Sequence, residues 1–145
     1  MLKAIFHNDL LWYSILVTVV VQLLKFFLYW AIDGRMDFKW IVRTGGMPSS
    51  HTATVFALST MVGLREGFDS TIFAVTAMFS LIVTYDATGV RRAAGKQAAV
   101  INRIVKELQM EHKVGRERLV ELLGHTPLEV LVGAIIGIVM GLLHG

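Results

Sequence analysis

The apolar run at residues 10–32 places the strongest constraint on how this chain folds. A helix needs about 20 apolar residues to cross a hydrocarbon core about 30 Å thick, and this run meets that length. The aromatic pairs Trp12–Tyr13 and Tyr29–Trp30 flank it, as aromatic side chains do at both interfaces of a span. The run is longer than the apolar part of a cleaved signal peptide and no A-x-A-like site follows it, so we expect a retained membrane anchor.

Three shorter apolar segments follow, at about residues 51–64, 70–85 and 128–143. Segments of this length cross a bilayer when they tilt, thin it locally or share burial in a bundle. The chain of 145 residues is 54% hydrophobic and has a mean hydropathy of +0.61, well above a soluble domain. We therefore predict an all-α polytopic membrane helix bundle of about four transmembrane helices, formed as a single integral membrane domain over residues 1–145.

The last apolar segment carries three glycines, Gly133, Gly137 and Gly141, at a spacing of four residues. Small residues at this spacing allow two helices to approach closely, which predicts tight packing of the last helix on a neighbour. Four short helices bury little surface, which leaves room for a homodimer. The chain has no cysteine, which excludes a disulfide framework and a thiolate metal site.

The long polar stretch at about residues 86–127 forms an insertion between the third and fourth spans. Within it Ile101, Ile104 and Leu108 recur at helical spacing opposite polar side chains, which indicates an amphipathic helix. A second apolar cluster at residues 119–123 indicates another. We expect these amphipathic interfacial helices to form a polar cap that lies on the membrane surface or folds over the bundle.

Four spans place the loop at residues 33–50 and the loop at residues 86–127 on the same side of the membrane. Eleven of the 14 Lys and Arg residues lie in these two loops, against Lys3 and Arg65 on the other side and Lys25 inside the first span. By the positive-inside rule this side is the cytoplasmic face of a bacterial-type inner or plasma membrane. Lys25 is expected to extend its amine towards that interface, and a position at the candidate site described below is the alternative.

The segment GGMPSSHT at residues 45–52 directly precedes the second span and is suited to binding an anion. A helix N-terminus presents unpaired N–H groups and the positive end of the helix dipole, and arginine side chains fit phosphate oxygens with two parallel hydrogen bonds. The predicted phosphate-binding residues are Arg43, Ser49, Ser50, Arg91, Arg92 and Lys39, and the predicted supporting residues are Asp86, Gly45 and Gly46.

Two histidines accompany this predicted site, His51 at the start of the second span and His125 just before the fourth. In phosphoryl transfer one imidazole can attack phosphorus while another gives a proton to the leaving oxygen. Glu129 follows His125 by four residues, on the same helical face, and could fix the tautomer of that ring. This chemistry requires no metal ion and no cofactor.

Two motifs resemble those of the type 2 phosphatidic acid phosphatase superfamily, which includes the vanadium haloperoxidases. PSSH at residues 48–51 resembles its Pro-Ser-Gly-His motif, and GHTPLEV at residues 124–130 looks like its final motif. The chain is more similar to the divergent branch of that superfamily, small membrane proteins with a GGMPSSH segment and an Asp-Ala-x-Gly-Val-Arg-Arg segment, here residues 86–92. This resemblance covers most of the chain.

The resemblance implies a role for each of three residues. In that superfamily the last histidine is the nucleophile, an acidic residue orients it and the earlier histidine is the general acid, roles that fall here to His125, Glu129 and His51. Ser50 stands where the superfamily has glycine, and Glu129 where it has aspartate. Its first motif, Lys-x6-Arg-Pro, has no match, and Leu119 stands where an arginine normally precedes the nucleophile by six residues.

The expected function is that of a membrane lipid phosphatase that hydrolyses a phosphomonoester or pyrophosphate on a lipid, such as phosphatidic acid or phosphatidylglycerophosphate, through a phosphohistidine. A non-catalytic protein that binds or moves an anionic phospholipid is an alternative. A metal-dependent lipid phosphotransferase centred on Asp86, Arg91 and Arg92 is another, because Asp86 fits a metal ligand as well as a partner or organiser of these arginines. No nucleic-acid partner is expected.

Overall fold

The described part of the chain is helical. The computed structural model describes residues 2–34, 45–110, 119 and 123–145, and no β-strand occurs among them. The helices are α1 (Leu2–Phe6), α2 (Asp9–Asp33), α3 (Ser50–Glu66), α4 (Thr71–Thr88), α5 (Val90–Met110) and α6 (Pro127–His144). The predicted all-α bundle is confirmed, and the four predicted apolar segments coincide with α2, α3, α4 and α6 to within a few residues.

Contacts along the helices show their directions. Gly133 of α6 lies beside Ser49 and Gly145 lies beside Leu64, so α6 runs parallel to α3. Helix α4 runs antiparallel to α3, since Phe73 lies beside Gly63 and the Ser80 hydroxyl donates to the carbonyl of Val55 at 3.0 Å. Helix α2 also runs antiparallel to α3, since Asp9 pairs with Arg65 and Thr18 bonds Thr54. The C-terminal ends of α2 and α4 therefore meet the N-terminal ends of α3 and α6, so the two loops predicted to share a membrane face lie at one end of the bundle.

Close packing of α6 on α3 depends on the glycine series. A Cβ added at Gly137 would lie 2.3 Å from the carbonyl oxygen of Ala53, and one added at Gly133 would lie 2.5 Å from that of Ser49. Because real Cβ atoms do not approach backbone oxygens this closely, any larger residue at these positions would force the helices apart. The predicted packing role of the glycines is confirmed, and α3 is the neighbour.

The apolar core lies where α2 meets α3 and α6. Val17 and Val21 of α2 and Ala53 and Ala57 of α3 are buried together, and apolar side chains of α6 pack against them. A hydrogen bond of 2.6 Å joins the hydroxyls of Thr18 in α2 and Thr54 in α3. Small side chains on α3 therefore let two helices contact it at once, one on either side.

Among the described residues, three stretches are long and apolar enough to cross a membrane: Asp9–Ile32, Thr71–Lys106, which contains α4 and most of α5, and Pro127–His144. The remaining predicted span, α3, has 17 residues, and small or polar side chains occupy many of its buried positions. Its packing against α2, α4 and α6 explains this composition, because a helix surrounded by other helices needs close contact more than contact with lipid.

The predicted amphipathic helix at Ile101 and Ile104 is confirmed as α5. It follows α4 after a turn at Gly89, whose own N–H donates to the carbonyl of Tyr85 at 2.8 Å. Of the second predicted amphipathic segment, only residues 119 and 123 are described, so that prediction lies outside the described residues.

Candidate functional site

A cavity of about 250 Å³ lies at the end of the bundle where α3 and α6 begin and α4 ends. Four of the predicted site residues line it: His51, Asp86, Arg91 and His125. They come from three separate parts of the sequence, and the helix directions bring them together. Apolar side chains of α4 and Leu123 complete the wall, so the cavity combines a polar group of residues with a surface suited to hydrocarbon.

His125 is the buried member of this group, with 5% of its surface exposed. Its backbone N–H donates to the carbonyl of Ala87 at 2.9 Å, whereas neither ring nitrogen has a hydrogen-bond partner among the described residues. Burial, followed by the positive charges of Lys25, His51 and Arg91, lowers the pKa of His125 to about 4. The ring is therefore neutral at pH 7 and offers a free lone pair to the cavity.

The turn before His125 is held against the junction between α4 and α5. Gly124 has φ +82°, and a Cβ added there would lie 2.3 Å from the backbone nitrogen of Arg92. Glycine is the residue that tolerates both this conformation and this contact. The Asp-Ala-x-Gly-Val-Arg-Arg segment thus supplies the backbone on which the His125 turn rests, through Ala87 and the Arg91–Arg92 peptide.

Asp86 and Arg91 form an ion pair between the Arg91 Nε and a carboxylate oxygen of Asp86. The pairing interpretation of Asp86 is therefore confirmed for Arg91, while Arg92 contributes backbone contact with Gly124 and does not line the cavity. Within the described ranges, no group of three or more His, Asp or Glu side chains lies close enough together to hold a metal ion.

Ser49 and Ser50 directly precede His51 in the sequence but do not line the cavity. Ser49 is fully buried and is the N-cap of α3, since its hydroxyl accepts from the backbone N–H of Thr52 at 3.4 Å. Its own N–H donates to the carbonyl of Glu129 at 3.1 Å, which ties the start of α3 to the first turn of α6. Ser49 therefore caps α3 and positions the starts of both helices in this structure.

Glu129 does not contact the imidazole of His125 through a hydrogen bond. Its carboxylate accepts from the backbone N–H of Thr126 at 3.0 Å, and the Thr126 hydroxyl accepts from the N–H of Glu129 at 3.3 Å, which completes a capping box. The predicted carboxylate–imidazole hydrogen bond is therefore wrong for this structure. The physical reason is that α6 begins with unpaired N–H groups, and a glutamate at its third position satisfies one of them.

Lys25 extends its amine towards the end of the bundle that holds the cavity, which is the direction that the sequence predicts. What the sequence does not predict is the burial of its side chain, which has 1% of its surface exposed. The amine donates to the carbonyl of Gly45 at 3.0 Å, and its charge acts on His125. The available signal was its position, because a single cation inside an apolar span costs free energy and commonly has a functional reason.

Gly45 and Gly46 have φ +103° and +82°, and they form the turn that leads into α3. A Cβ added at Gly46 would lie 2.7 Å from the Tyr29 hydroxyl, so the glycine allows this turn to pack against the end of α2. The two remaining predicted phosphate ligands, Lys39 and Arg43, lie outside the described residues.

With this geometry in place, the comparisons identify the class of protein. Residues 6–140 match the Divergent PAP2 family, and the chain belongs to that family. It is 41% identical to the uncharacterized membrane protein YuiD of Bacillus subtilis (strain 168) over 140 residues, a match that covers 89% of each chain. No solved structure matches the chain. The resemblance read from the PSSH and GHTPLEV motifs is therefore confirmed at the level of the family.

Proposed function

We propose that this membrane protein is a lipid phosphatase that hydrolyses a phosphomonoester or pyrophosphate on a lipid through a phosphohistidine at His125. The observation that carries the proposal is that two histidines share one cavity, and that the buried one is neutral and has no ring partner within the described ranges. A neutral imidazole is the nucleophilic form, and a second imidazole supplies the proton that the leaving oxygen needs.

The proposed reaction has two steps. A ring nitrogen of His125 attacks phosphorus, the bond from phosphorus to the lipid oxygen breaks, and His51 gives that oxygen a proton. Water then attacks the phosphohistidine and loses a proton to His51, which frees inorganic phosphate and restores both rings. Arg91 lines the same cavity, and its guanidinium would stabilise the charge on the phosphoryl oxygens in both steps.

A lipid substrate is supported by the wall of the cavity. Ile82, Val83 and Leu123 give it an apolar side, and it lies at the end of helices that cross the membrane. Phosphatidic acid and phosphatidylglycerophosphate place a phosphate at headgroup depth beside acyl chains, which matches this arrangement. Placement of the site on the cytoplasmic face is part of the proposal and rests on the distribution of Lys and Arg.

Phosphate release from a panel of lipid phosphates tests this proposal. The purified protein is assayed in EDTA in mixed micelles, with His125→Ala alongside and His7→Ala as the matched control, because His7 is exposed and contacts only the carbonyl of Lys3 at 2.7 Å. We expect release in EDTA that His125→Ala abolishes and His7→Ala retains. Release that disappears in EDTA would instead support the metal-dependent lipid phosphotransferase.

One observation favours the non-catalytic alternative, in which the cavity binds or moves an anionic phospholipid. The carboxylate of Glu129 is engaged with Thr126, so His125 lacks the acidic partner that the superfamily pattern provides. Titration of the protein with short-chain phosphatidic acid distinguishes the two functions. Saturable binding without phosphate release from any substrate would replace the phosphatase proposal with this alternative.

A further inference from the structure

Helix α5 follows α4, which is by itself long enough to cross the membrane core. The 18 residues of α4 extend about 27 Å at 1.5 Å per residue, close to the thickness of the hydrocarbon layer. Since α4 ends beside the His125 turn, α5 starts at the same level as the cavity, where headgroups begin. An apolar surface on α5 would therefore meet the membrane interface before it meets bulk water.

One face of α5 is occupied by the protein. Gly95 and Ala98 are buried on it, and the Asn102 side chain bonds the backbone of Leu119 in both directions, donating to its carbonyl at 2.7 Å and accepting from its N–H at 2.9 Å. Gly124 rests on the start of the same helix. The described contacts of α5 with Leu119 therefore lie on this face.

A second face of α5 is apolar and exposed. Val90, Val100, Ile101 and Ile104 expose 63%, 51%, 45% and 48% of their surfaces. Their spacing places them on one stripe of the helix. A stripe of β-branched side chains at these exposures is unfavourable in water, and contact with acyl chains would remove that cost.

A third face is basic and lies next to the apolar stripe. Arg92 and Lys96 lie four residues apart on this face. A shallow groove of about 380 Å³ lies where the two stripes meet, and Lys96, Gln97, Val100 and Ile101 line it. The groove therefore offers a positive charge and a hydrocarbon surface to the same occupant.

We propose that this groove and the two stripes of α5 form a binding surface for an anionic phospholipid of the membrane interface, separate from the histidine cavity. The lipid phosphate would lie against Lys96, and an acyl chain would follow Val100 and Ile101. The adjacency of basic and apolar faces is typical of helices that lie in the plane of a charged membrane surface. The surface does not depend on catalysis at His125.

Depth measurements test where the apolar stripe lies. The chain has no cysteine, so Ile101→Cys, Ile104→Cys and Lys96→Cys each accept a single nitroxide label. The labelled proteins are placed in bilayers of phosphatidylcholine and phosphatidylglycerol. We expect oxygen dissolved in the lipid to reach the labels at 101 and 104, and a water-soluble nickel chelate to reach the label at 96. The proposal would be overturned if the chelate reached the labels at 101 and 104 more readily than oxygen did. It would also be overturned if both labels were shielded from oxygen and chelate, as contact with a protein partner would cause.

Lipid selectivity tests the basic stripe independently. A fluorophore at Val100→Cys is quenched by nitroxide-labelled phosphatidylglycerol or phosphatidylcholine, and the ratio of the two reports the preference for the anionic headgroup. We expect Lys96→Gln to lower that preference about fivefold, because one Lys near an anionic surface contributes that factor. Lys3→Gln, on α1 at the opposite end of the bundle, should leave it unchanged. Equal quenching by the two lipids in labelled protein that retains Lys96 would contradict an anionic occupant.

Discussion

The two ends of the bundle carry similar side chains in opposite arrangements. At the end away from the cavity, the Arg65 guanidinium donates to both carboxylate oxygens of Asp9, at 2.8 and 2.5 Å. His144 lies 3.7 Å from the same carboxylate and stacks on Tyr13, with 4.0 Å between ring centroids. These residues belong to α2, α3 and α6, so their contacts connect three helices and leave each polar group with a partner.

At the cavity end the same residue types are arranged to leave reactive atoms free. Asp86 neutralises Arg91 as Asp9 neutralises Arg65, but His125 is buried with no partner on either ring nitrogen among the described residues. Burying a polar ring in this way costs free energy, and a protein retains such a group where a ligand or a reaction uses it. The cavity end, where the His125 ring is buried in this way, is therefore the candidate location for chemistry.

The largest contrast between the two ends is expected from replacing one histidine at each. His125→Asn should lower the proposed phosphatase activity by about 10³-fold or more, because it removes the proposed nucleophile. His144→Asn should leave activity within about twofold, because that ring only packs on Tyr13 and Asp9. Phosphate release from phosphatidic acid measures both. Equal losses in the two variants would remove the functional distinction between the ends.

The next largest effect concerns the turn that holds His125. Gly124→Ala should lower kcat by about 100-fold, since the new Cβ would displace the turn from the Arg92 backbone and move the imidazole by about an ångström. Gly34→Ala is the matched control, because Gly34 also has positive φ, at +66°, but nothing lies within 4 Å of its added Cβ. Similar kinetics for the two variants would show that backbone conformation alone matters at Gly124.

A smaller effect is expected on the pH profile. In the proposed reaction His125 attacks in its neutral form, so activity should fall as pH decreases through its pKa, near pH 4. Lys25→Met removes a positive charge that helps to lower that pKa, so the acid limb should move to higher pH, towards the ordinary value of 6.5. The pH dependence of kcat/KM measures this, with Lys3→Met as the control. An acid limb that stays in place would mean that Lys25 does not act on the imidazole.

The smallest effect is expected at the end of the bundle away from the cavity. Asp9→Asn breaks an ion pair whose side chains are about half exposed, at 49% for Asp9 and 46% for Arg65. Exposed pairs contribute little, so the Tm in detergent should fall by no more than about 4 °C and activity should not change. A double-mutant cycle with Arg65→Met isolates the pair. Loss of activity in Asp9→Asn would show that this end also serves the reaction.

Much of the fold is predictable because its signals are local or periodic. The run at residues 10–32 anticipates α2, and glycines spaced by four anticipate close packing of α6, although not that α3 is the partner. The count of spans was less secure, since α3 is short and less apolar than a helix that faces lipid. Its composition reflects neighbours on several sides, which only the packed bundle defines.

The candidate site was predictable in part. The number of spans sets the direction of each helix, and this predicts which side chains meet at one membrane face. Four of those side chains share a cavity in the structure: His51, Asp86, Arg91 and His125. The partners of individual charges did not follow from spacing. Glu129 is four residues from His125, a distance that permits contact, yet its carboxylate bonds the backbone of its own helix start.

The amino-acid sequence by itself determines the membrane class, the helices and the turns where glycine is required, because hydrophobicity, caps and backbone conformation act over a few residues. The burial of Lys25, the neutral state of His125 and the lack of a ring partner for His125 in the described part of the chain follow only from the packed structure. The burial of a side chain and the electrostatic potential at it depend on residues that are far apart in the sequence. Both are therefore set only when the helices pack, and the proposed chemistry of His125 depends on both.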